Sequence, residues 1–401
     1  MPPLAAPADA PPAASVYDAE PIPAEARAEV DRLLASGDLF RYTAPADQPA
    51  PVARLEREFA RHMGVRFALA LNSCSSAIFL SLRALGIKPG DQVLIPGFTF
   101  AAVPSAVVHA GAQPILVEVG EDYRLDMEDF AAKLTGQIRA VVISHMRGHT
   151  SDMDAIMALC GARGVPVIED AAHSLGTLWD GRKIGTIGRI GCFSFQSYKL
   201  VNGGEGGVLI TDDEDVIARA VIMSGAYEHN WQKHRLPTNA FAKYQNTLPL
   251  YNLRMNNLSA AVIAPQFDQI ERRAENGLRN HDFVAGLLNA SPHLSVPDPL
   301  PKERRAPDSI QFNLVGFSET EARRLMAETS ARGVPVSVFG LHEDNARAFW
   351  NWRFIGNIPD LPKTRAMLMR ACDMRLPARL TRPELEAIAG AVLAAVATVK
   401  G

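Results

Sequence analysis

Residues 193–207 read Phe-Ser-Phe-Gln-Ser-Tyr-Lys-Leu-Val-Asn-Gly-Gly-Glu-Gly-Gly. A β-like run leads to a lysine, Lys199, and a polar, glycine-rich turn follows it. Upstream, Val165-Pro-Val-Ile-Glu-Asp reads as a buried strand with a carboxylate, Asp170, at its C-terminal end. Open α/β sheets bind ligands at that edge. A positioned lysine and a positioned aspartate are what pyridoxal 5'-phosphate (PLP) asks of a protein. The amine forms a Schiff base, and the carboxylate keeps the pyridine nitrogen protonated.

Working outward from this pair, short apolar strands alternate with helices. Helical spacing covers 24–35 and 52–63, and strand-like runs lie at 67–72, 92–96, 114–119, 139–144 and 166–169. Between them, helices are expected near 73–86, 101–110, 127–134 and 153–162. This order predicts an α/β fold with a mostly parallel sheet covered on both faces. Two short strands, 192–195 and 207–211, flank the lysine turn, and a helix follows at 214–223. Residues 224–251 look irregular, and loops of that length are usually functional. A long helix or helix pair is expected over 258–288. Beyond Pro292 an α+β module is expected, with strands at 311–315 and 334–338 and helices at 319–332 and 382–399. The resulting domain reading is a disordered Ala/Pro-rich tail (1–15), an N-terminal arm with a large PLP-binding domain (16–270), and a small C-terminal domain (271–401).

Composition narrows the function classes. The chain has 401 residues, 47% hydrophobic and 21% charged, with a net charge of −3. No basic surplus points to nucleic acid or to an anionic membrane. The four cysteines, Cys74, Cys160, Cys192 and Cys372, form no CxxC and no metal pattern, which suits reduced thiols in the cytoplasm. No apolar run approaches the roughly 18 residues needed to cross a bilayer.

Further candidates stand at successive strand ends. Asn72-Ser-Cys-Ser-Ser76 opens a helix, where free N–H groups, the dipole and the hydroxyls of Ser75 and Ser76 favour a phosphate. Serine there is equally an ordinary helix cap. Phe100 either lies against a planar ring or packs in the core. His173, three residues after Asp170, either bonds a cofactor or is solvated. Lys199 must be neutral to attack an aldehyde, which burial and neighbouring cations promote.

With these segments assembled, the chain resembles the DegT/StrS-type PLP-dependent sugar aminotransferases. The carrying motifs are Asn72-Ser-Cys-Ser-Ser-Ala, Pro96-Gly-Phe-Thr-Phe, Val165-Pro-Val-Ile-Glu-Asp-Ala-Ala-His, Cys192-Phe-Ser-Phe-Gln-Ser-Tyr-Lys, Gly203-Gly-Glu-Gly-Gly and Tyr251-Asn-Leu-Arg-Met-Asn. The match runs from about residue 50 to 275 and weakens beyond. The resemblance implies the aspartate aminotransferase-like (type I) fold, with a seven-stranded sheet in the large domain. It implies Lys199 as the Schiff-base lysine and Asp170 as the ring-nitrogen partner. His173 then stands near the phenolic oxygen, Phe100 against the ring, and Ser75, Ser76 and Ser194 at the phosphate. Asn252 and Arg254 fall in the segment that the family presents to the neighbouring subunit's site, which implies a homodimer. Four positions depart from the pattern: Cys74 for glycine, Ser76 for alanine, Leu250 for the glycine before Tyr-Asn, and Arg147 in His145-Met-Arg-Gly.

The implied reaction moves an amino group from glutamate or glutamine to a keto group on a sugar or cyclitol, through a pyridoxamine 5'-phosphate form. A lyase or desulfurase reaction on an amino acid, or a non-catalytic PLP-binding regulator, would use the same fold. Substrate candidates are Arg147, His229, Trp231, Arg235, Arg254 and His342, since cationic and aromatic groups suit an anionic substrate. In the irregular segment, His234 and Tyr244 are candidates for the same wall. Packing at the dimer interface is the other reading of Trp231 and Tyr244.

Overall fold

The computed structural model describes residues 16–43, 49–234 and 239–401. The expected tail at 1–15 and the candidate Arg235 lie outside the described residues.

Two N-terminal helices, α1 (Ala24–Ser36) and α2 (Pro51–Met63), precede the first strand. Pro51 starts α2, where its missing N–H costs nothing, and Gly64 ends it in a left-handed cap. The alternation then runs β1 (Phe67–Leu71), α3 (Cys74–Ala84), β2 (Gln92–Pro96), α4 (Ala102–His109), β3 (Gln113–Val117), α5 (Met127–Lys133), β4 (Ile138–Ser144), α6 (Met153–Gly161) and β5 (Val167–Asp170). After it come β6 (Leu178–Trp179), β7 (Arg182–Lys183), β8 (Ile190–Ser194), β9 (Gly207–Thr211), α7 (Glu214–Met223), α8 (Asn239–Tyr244), α9 (Asn257–Ile263) and α10 (Ile270–Leu288). The C-terminal part holds β10 (Leu294–Ser295), β11 (Glu303–Arg304), β12 (Ser309–Leu314), α11 (Glu319–Ala331), β13 (Ser337–Val338), α12 (Pro362–Leu368), β14 (Ala371–Arg375) and α13 (Arg382–Lys400).

The main sheet has seven strands in the order β1-β9-β8-β5-β4-β2-β3. Only β9 runs against its neighbours; the pairs β8–β5, β5–β4, β4–β2 and β2–β3 are parallel. Strands β1, β8 and β9 are buried at every residue, as their continuous apolar runs require when helices cover both faces. Because β1, β2, β4, β5 and β8 share one direction, their C-terminal ends meet at one edge. The segments leaving that edge carry Ser75, Phe100, Arg147, Asp170 and Ser194.

A second sheet, β10-β12-β14-β13, is antiparallel throughout. Capping boxes start both helices packed near it, Ser318 with Glu321 at α11 and Thr381 with Glu384 at α13. Two apolar cores result. Leu69, Ile95, Val142, Ile168 and Phe193 belong to the first, and Ile310, Phe312, Leu325, Met374 and Val392 to the second. Helix α10 serves both, placing Ile270 in the first and Val284 in the second. Val16 packs into the second core, while Phe339, Phe349 and Trp352 pack into the first.

Three details differ from the sequence reading. The small sheet β11-β6-β7 was not foreseen, because two-residue strands carry no period-2 signal. The strand expected at 334–338 pairs only at Ser337–Val338. Residues 224–251 contain the short helix α8, whose Phe241 and Tyr244 are buried.

Candidate active site

A cavity of about 860 Å³ lies between the ligand-facing edge of the large sheet and the second sheet with α11. Asp170, His173 and Lys199 all line it.

Asp170 ends β5 and is buried. Its Oδ2 accepts from the Ser144 hydroxyl at 2.8 Å and its Oδ1 from the Ala172 N–H at 3.2 Å. Burial raises its pKa; those two hydrogen bonds and the charge of Lys199 oppose the rise. A carboxylate of this kind is stabilised by a cation placed against it. Its neighbour Glu169 points the other way and is fully buried. There it accepts N–H groups from Gly185, Ile187 and Gly188 at 2.8, 2.7 and 2.6 Å and meets His145 Nε2 at 3.1 Å. Burial raises the Glu169 pKa, but His145 and the backbone donors outweigh it and hold it below the ordinary value. Alternation along one strand thus gives one carboxylate to the cavity and one to scaffolding.

Lys199 Nζ lies 2.9 Å from His173 Nε2. Burial, followed by the charge of Arg147, pushes the lysine down to about 8 against the pull of Asp308 and Asp170. Burial and the charge of Lys199 hold His173 well below its usual value, so it is neutral and able to accept from the amine.

The phosphate-loop candidates separate. Ser73 caps α3, accepting from the Ser76 N–H at 3.1 Å. Ser75 lines the cavity; Ser76 does not. The Ser76 hydroxyl donates to Asn72 Oδ1 at 2.7 Å and lies 3.0 Å from Ser73 Oγ, because helical phase turns it away from its neighbour. The N–H groups of Cys74 and Ser75 have no carbonyl one turn back within the helix. Gly207 allows this arrangement: a Cβ there would overlap the Ser73 carbonyl carbon and the Cys74 nitrogen. The Cys74 side chain is buried, its sulfur 3.9 Å from Asp170 Oδ1. Phe100 projects into the cavity 45% exposed, and Ser194 lines it from the end of β8.

Of the substrate candidates, Arg147 and His342 line the cavity. Arg147 sits in a left-handed conformation (φ 56°, ψ 23°) and donates to Asp373 Oδ2 at 2.5 Å. His342 Nε2 is 2.9 Å from Ser337 Oγ. His229, Trp231, Asn252 and Arg254 do not reach this cavity. His229 and Asn252 are exposed elsewhere. Trp231 stacks on Phe241 at 5.4 Å, and Arg254 donates to the Gly225 carbonyl at 2.8 Å. In the same segment, His234 bonds Tyr42 at 2.8 Å inside the core, and Tyr244 accepts from Arg219 at 2.9 Å. The sequence reading did not single out Tyr17, Tyr198, Glu205, Arg347, Asp373 or Arg375, which also line the cavity. Tyr198 and Glu205 flank Lys199 within the opening motif, and proximity was the one signal available for them.

A sheet edge that gathers a lysine, an aspartate and a helix N-terminus into one cavity is the plan of a type I PLP-dependent transferase. Residues 24–393 match the DegT/DnrJ/EryC1/StrS aminotransferase family, and the chain belongs to it. It is 37% identical over 230 residues to the spore coat polysaccharide biosynthesis protein SpsC of Bacillus subtilis (56% of this chain, 59% of that protein). It is 30% identical over 304 residues to the 3-amino-5-hydroxybenzoate synthase of Amycolatopsis mediterranei (75% of this chain, 76% of that protein). The first of these matches thus spans less than two thirds of the relative's length. Among solved structures, a 3-amino-5-hydroxybenzoic acid synthase superposes with a TM-score of 0.81 at 27% identity, covering 95% of this chain and 100% of that one. Among the described residues, no helix is long and apolar enough to cross a membrane, and no cluster of His, Cys, Asp and Glu suits a metal ion.

Proposed function

We propose that this chain is a PLP-dependent aminotransferase that moves an amino group from glutamate or glutamine to a keto group on a sugar or cyclic polyol in the cytoplasm. The observation that carries the reading is the Lys199 amine, lowered to about 8, in one cavity with the buried carboxylate of Asp170. Family membership and the names of the polysaccharide and aminohydroxybenzoate relatives support the substrate class.

The residues fit PLP. Asp170 would meet the ring nitrogen, and the exposed face of Phe100 would lie against the ring. The N–H groups of Cys74 and Ser75, with the hydroxyls of Ser75 and Ser194, would take the phosphate. His173 would hydrogen-bond near the phenolic oxygen. When bound, PLP supplies a carbonyl that carries the amine and a cationic ring that accepts the electrons left by a departing proton.

The protein's own work is binding and proton transfer. Asp170 would hold a proton at the ring nitrogen, since its buried carboxylate would be stabilised by that cation. Lys199 would anchor the cofactor and then, as an amine lowered to about 8, take up and return a substrate proton. Asn252, exposed and outside this chain's cavity, is read as contributing to the site of a second subunit in a homodimer, with Arg254 in the same segment.

Purified protein loaded with PLP is expected to show a visible absorbance band that glutamate or glutamine bleaches and a keto-sugar or keto-cyclitol restores. Ammonia or sulfide release without a keto acceptor would select a lyase or desulfurase instead. A Lys199→Ala protein with full turnover would overturn the assignment.

A further inference from the structure

Arg147 and His149 leave the turn after β4 two residues apart, and both side chains reach the second sheet. There they meet Asp373 on β14 and Gln311 on β12, which stand opposite each other in the strand register. Arg147 Nη2 donates to Asp373 Oδ2 at 2.5 Å, and Gln311 Nε2 donates to Asp373 Oδ1 at 2.8 Å. His149 Nε2 lies 2.9 Å from Gln311 Oε1. Behind the imidazole, Arg305 Nη1 lies 3.3 Å from His149 Nδ1. His149, Gln311 and Arg305 are all buried.

The two ends of this row fix the groups between them. A guanidinium only donates, so His149 Nδ1 carries no hydrogen and accepts from Arg305. The ring hydrogen is then on Nε2 and is given to Gln311 Oε1. An ionised carboxylate only accepts, so the Gln311 amide turns its NH2 to Asp373 and gives its other hydrogen to Ser309 Oγ at 2.9 Å. The bonds run in one direction, from Arg305 to Asp373, and Arg147 reaches Asp373 from the other side. The remaining groups around the imidazole are Tyr123, whose ring centre is 4.9 Å away, Arg124, which is matched by Glu303, and His281. Burial and the charge of Arg305 hold His149 well below its usual value, so the ring is neutral.

We propose that His149 is a positioning residue for the reaction: locked as one tautomer between Arg305 and Gln311, it fixes the Asp373 carboxylate, and that carboxylate holds Arg147 in the cavity with Lys199. Arg147 needs such a hold. Its backbone is left-handed (φ 56°, ψ 23°), a conformation that a long side chain keeps only where its surroundings impose it. What the hold gives is a fixed charge. After burial, which lowers the Lys199 pKa most, Arg147 lowers it further, while Asp308, Asp170 and Cys74 raise it. His173 lies 2.9 Å from the amine. The inference rests on the aminotransferase reading, because it concerns the amine that takes up the cofactor.

The test is the pH dependence of PLP uptake by apoprotein, followed by visible absorbance. Wild type is compared with His149→Phe, which keeps a ring and loses both hydrogen bonds, with His149→Gln, and with Arg147→Gln. The expected result for His149→Phe is a midpoint about 0.5–1 pH unit higher, so that uptake at pH 7 is about 3- to 10-fold slower while the high-pH plateau is kept. Arg147→Gln should shift the midpoint in the same direction. The double variant His149→Phe/Arg147→Gln should shift it no further than Arg147→Gln alone, since His149 acts through Arg147. His149→Gln can accept from Arg305 and donate to Gln311, and should restore the wild-type midpoint. Thermal unfolding is read alongside, because losing buried hydrogen bonds lowers stability whether or not the residue positions anything. An unshifted uptake midpoint in a folded His149→Phe, or shifts that add in the double variant, overturns the proposal. If His149→Phe does not fold, Gln311→Met breaks the same row one step further on, and an unshifted midpoint there overturns the proposal equally. Wild type that takes up PLP but is not bleached by glutamate or glutamine overturns the aminotransferase reading instead, whereas the uptake midpoints judge His149 whatever the amino donor.

Discussion

Arg147 Nη2 and Asp373 Oδ2 meet at 2.5 Å, joining the turn after β4 to β14 across the cavity. Their side chains are 10% and 11% exposed. Removing one member of so enclosed a pair leaves the other without a counter-charge. Asp373→Ala is expected to destabilise the apoprotein by about 3 kcal/mol, read from urea unfolding. Gln311 also loses its acceptor, so Asp373→Asn, which keeps one oxygen, should cost less.

Lys199 makes both stability and cofactor uptake depend on pH. Its folded pKa of about 8 lies below the ordinary 10.5. Between those values the unfolded chain binds more protons than the folded one, so stability rises with pH across that window. Lys199→Met should lack this rise in pH-dependent thermal unfolding. The rate at which apoprotein takes up PLP, followed by visible absorbance, should climb to a plateau above pH about 8, as the neutral amine fraction grows.

Ser75 and Ser76 are adjacent but should respond differently. Ser75→Ala removes a hydroxyl from the cavity and is expected to weaken PLP binding about 3- to 10-fold, the scale of one hydrogen bond. Ser76→Ala removes the bonds to Asn72 and Ser73, so it should change stability by about 1 kcal/mol and leave the PLP affinity alone. Spectral titration and thermal unfolding separate the two effects.

Gly207 lets β9 pass beneath the first turn of α3. Gly207→Ala should displace Ser73 and Cys74, and with them the N–H groups proposed to take the phosphate. A loss of PLP affinity of at least about 10-fold is expected, with a smaller effect on secondary structure by circular dichroism.

The large sheet was legible because its strands are short apolar runs separated by helices, and Lys199 and Asp170 stand at strand ends that any parallel sheet brings to one edge. Arg347, Arg375 and Asp373 were not legible. They come from a region without strong periodicity and reach Lys199 across more than a hundred residues of chain, a proximity that only tertiary packing creates. Ser76 was grouped with Ser75 because both sit in one motif, and helical phase, about 100° per residue, separates them. Trp231 looked like a ligand-facing aromatic because its segment is irregular. The packing partner that claims it, Phe241, lies on a helix too short to show in the pattern.

Helix α10 has 19 residues, a rod of about 28 Å at 1.5 Å per residue. One end is seated among the residues around Ile270 and the other among those around Val284. Melting either core strips the support from half of the same rod, and a helix with one half unsupported does not survive in water. The two cores are therefore expected to melt together, and damage on the side that carries Arg375 to be felt on the side that carries Lys199.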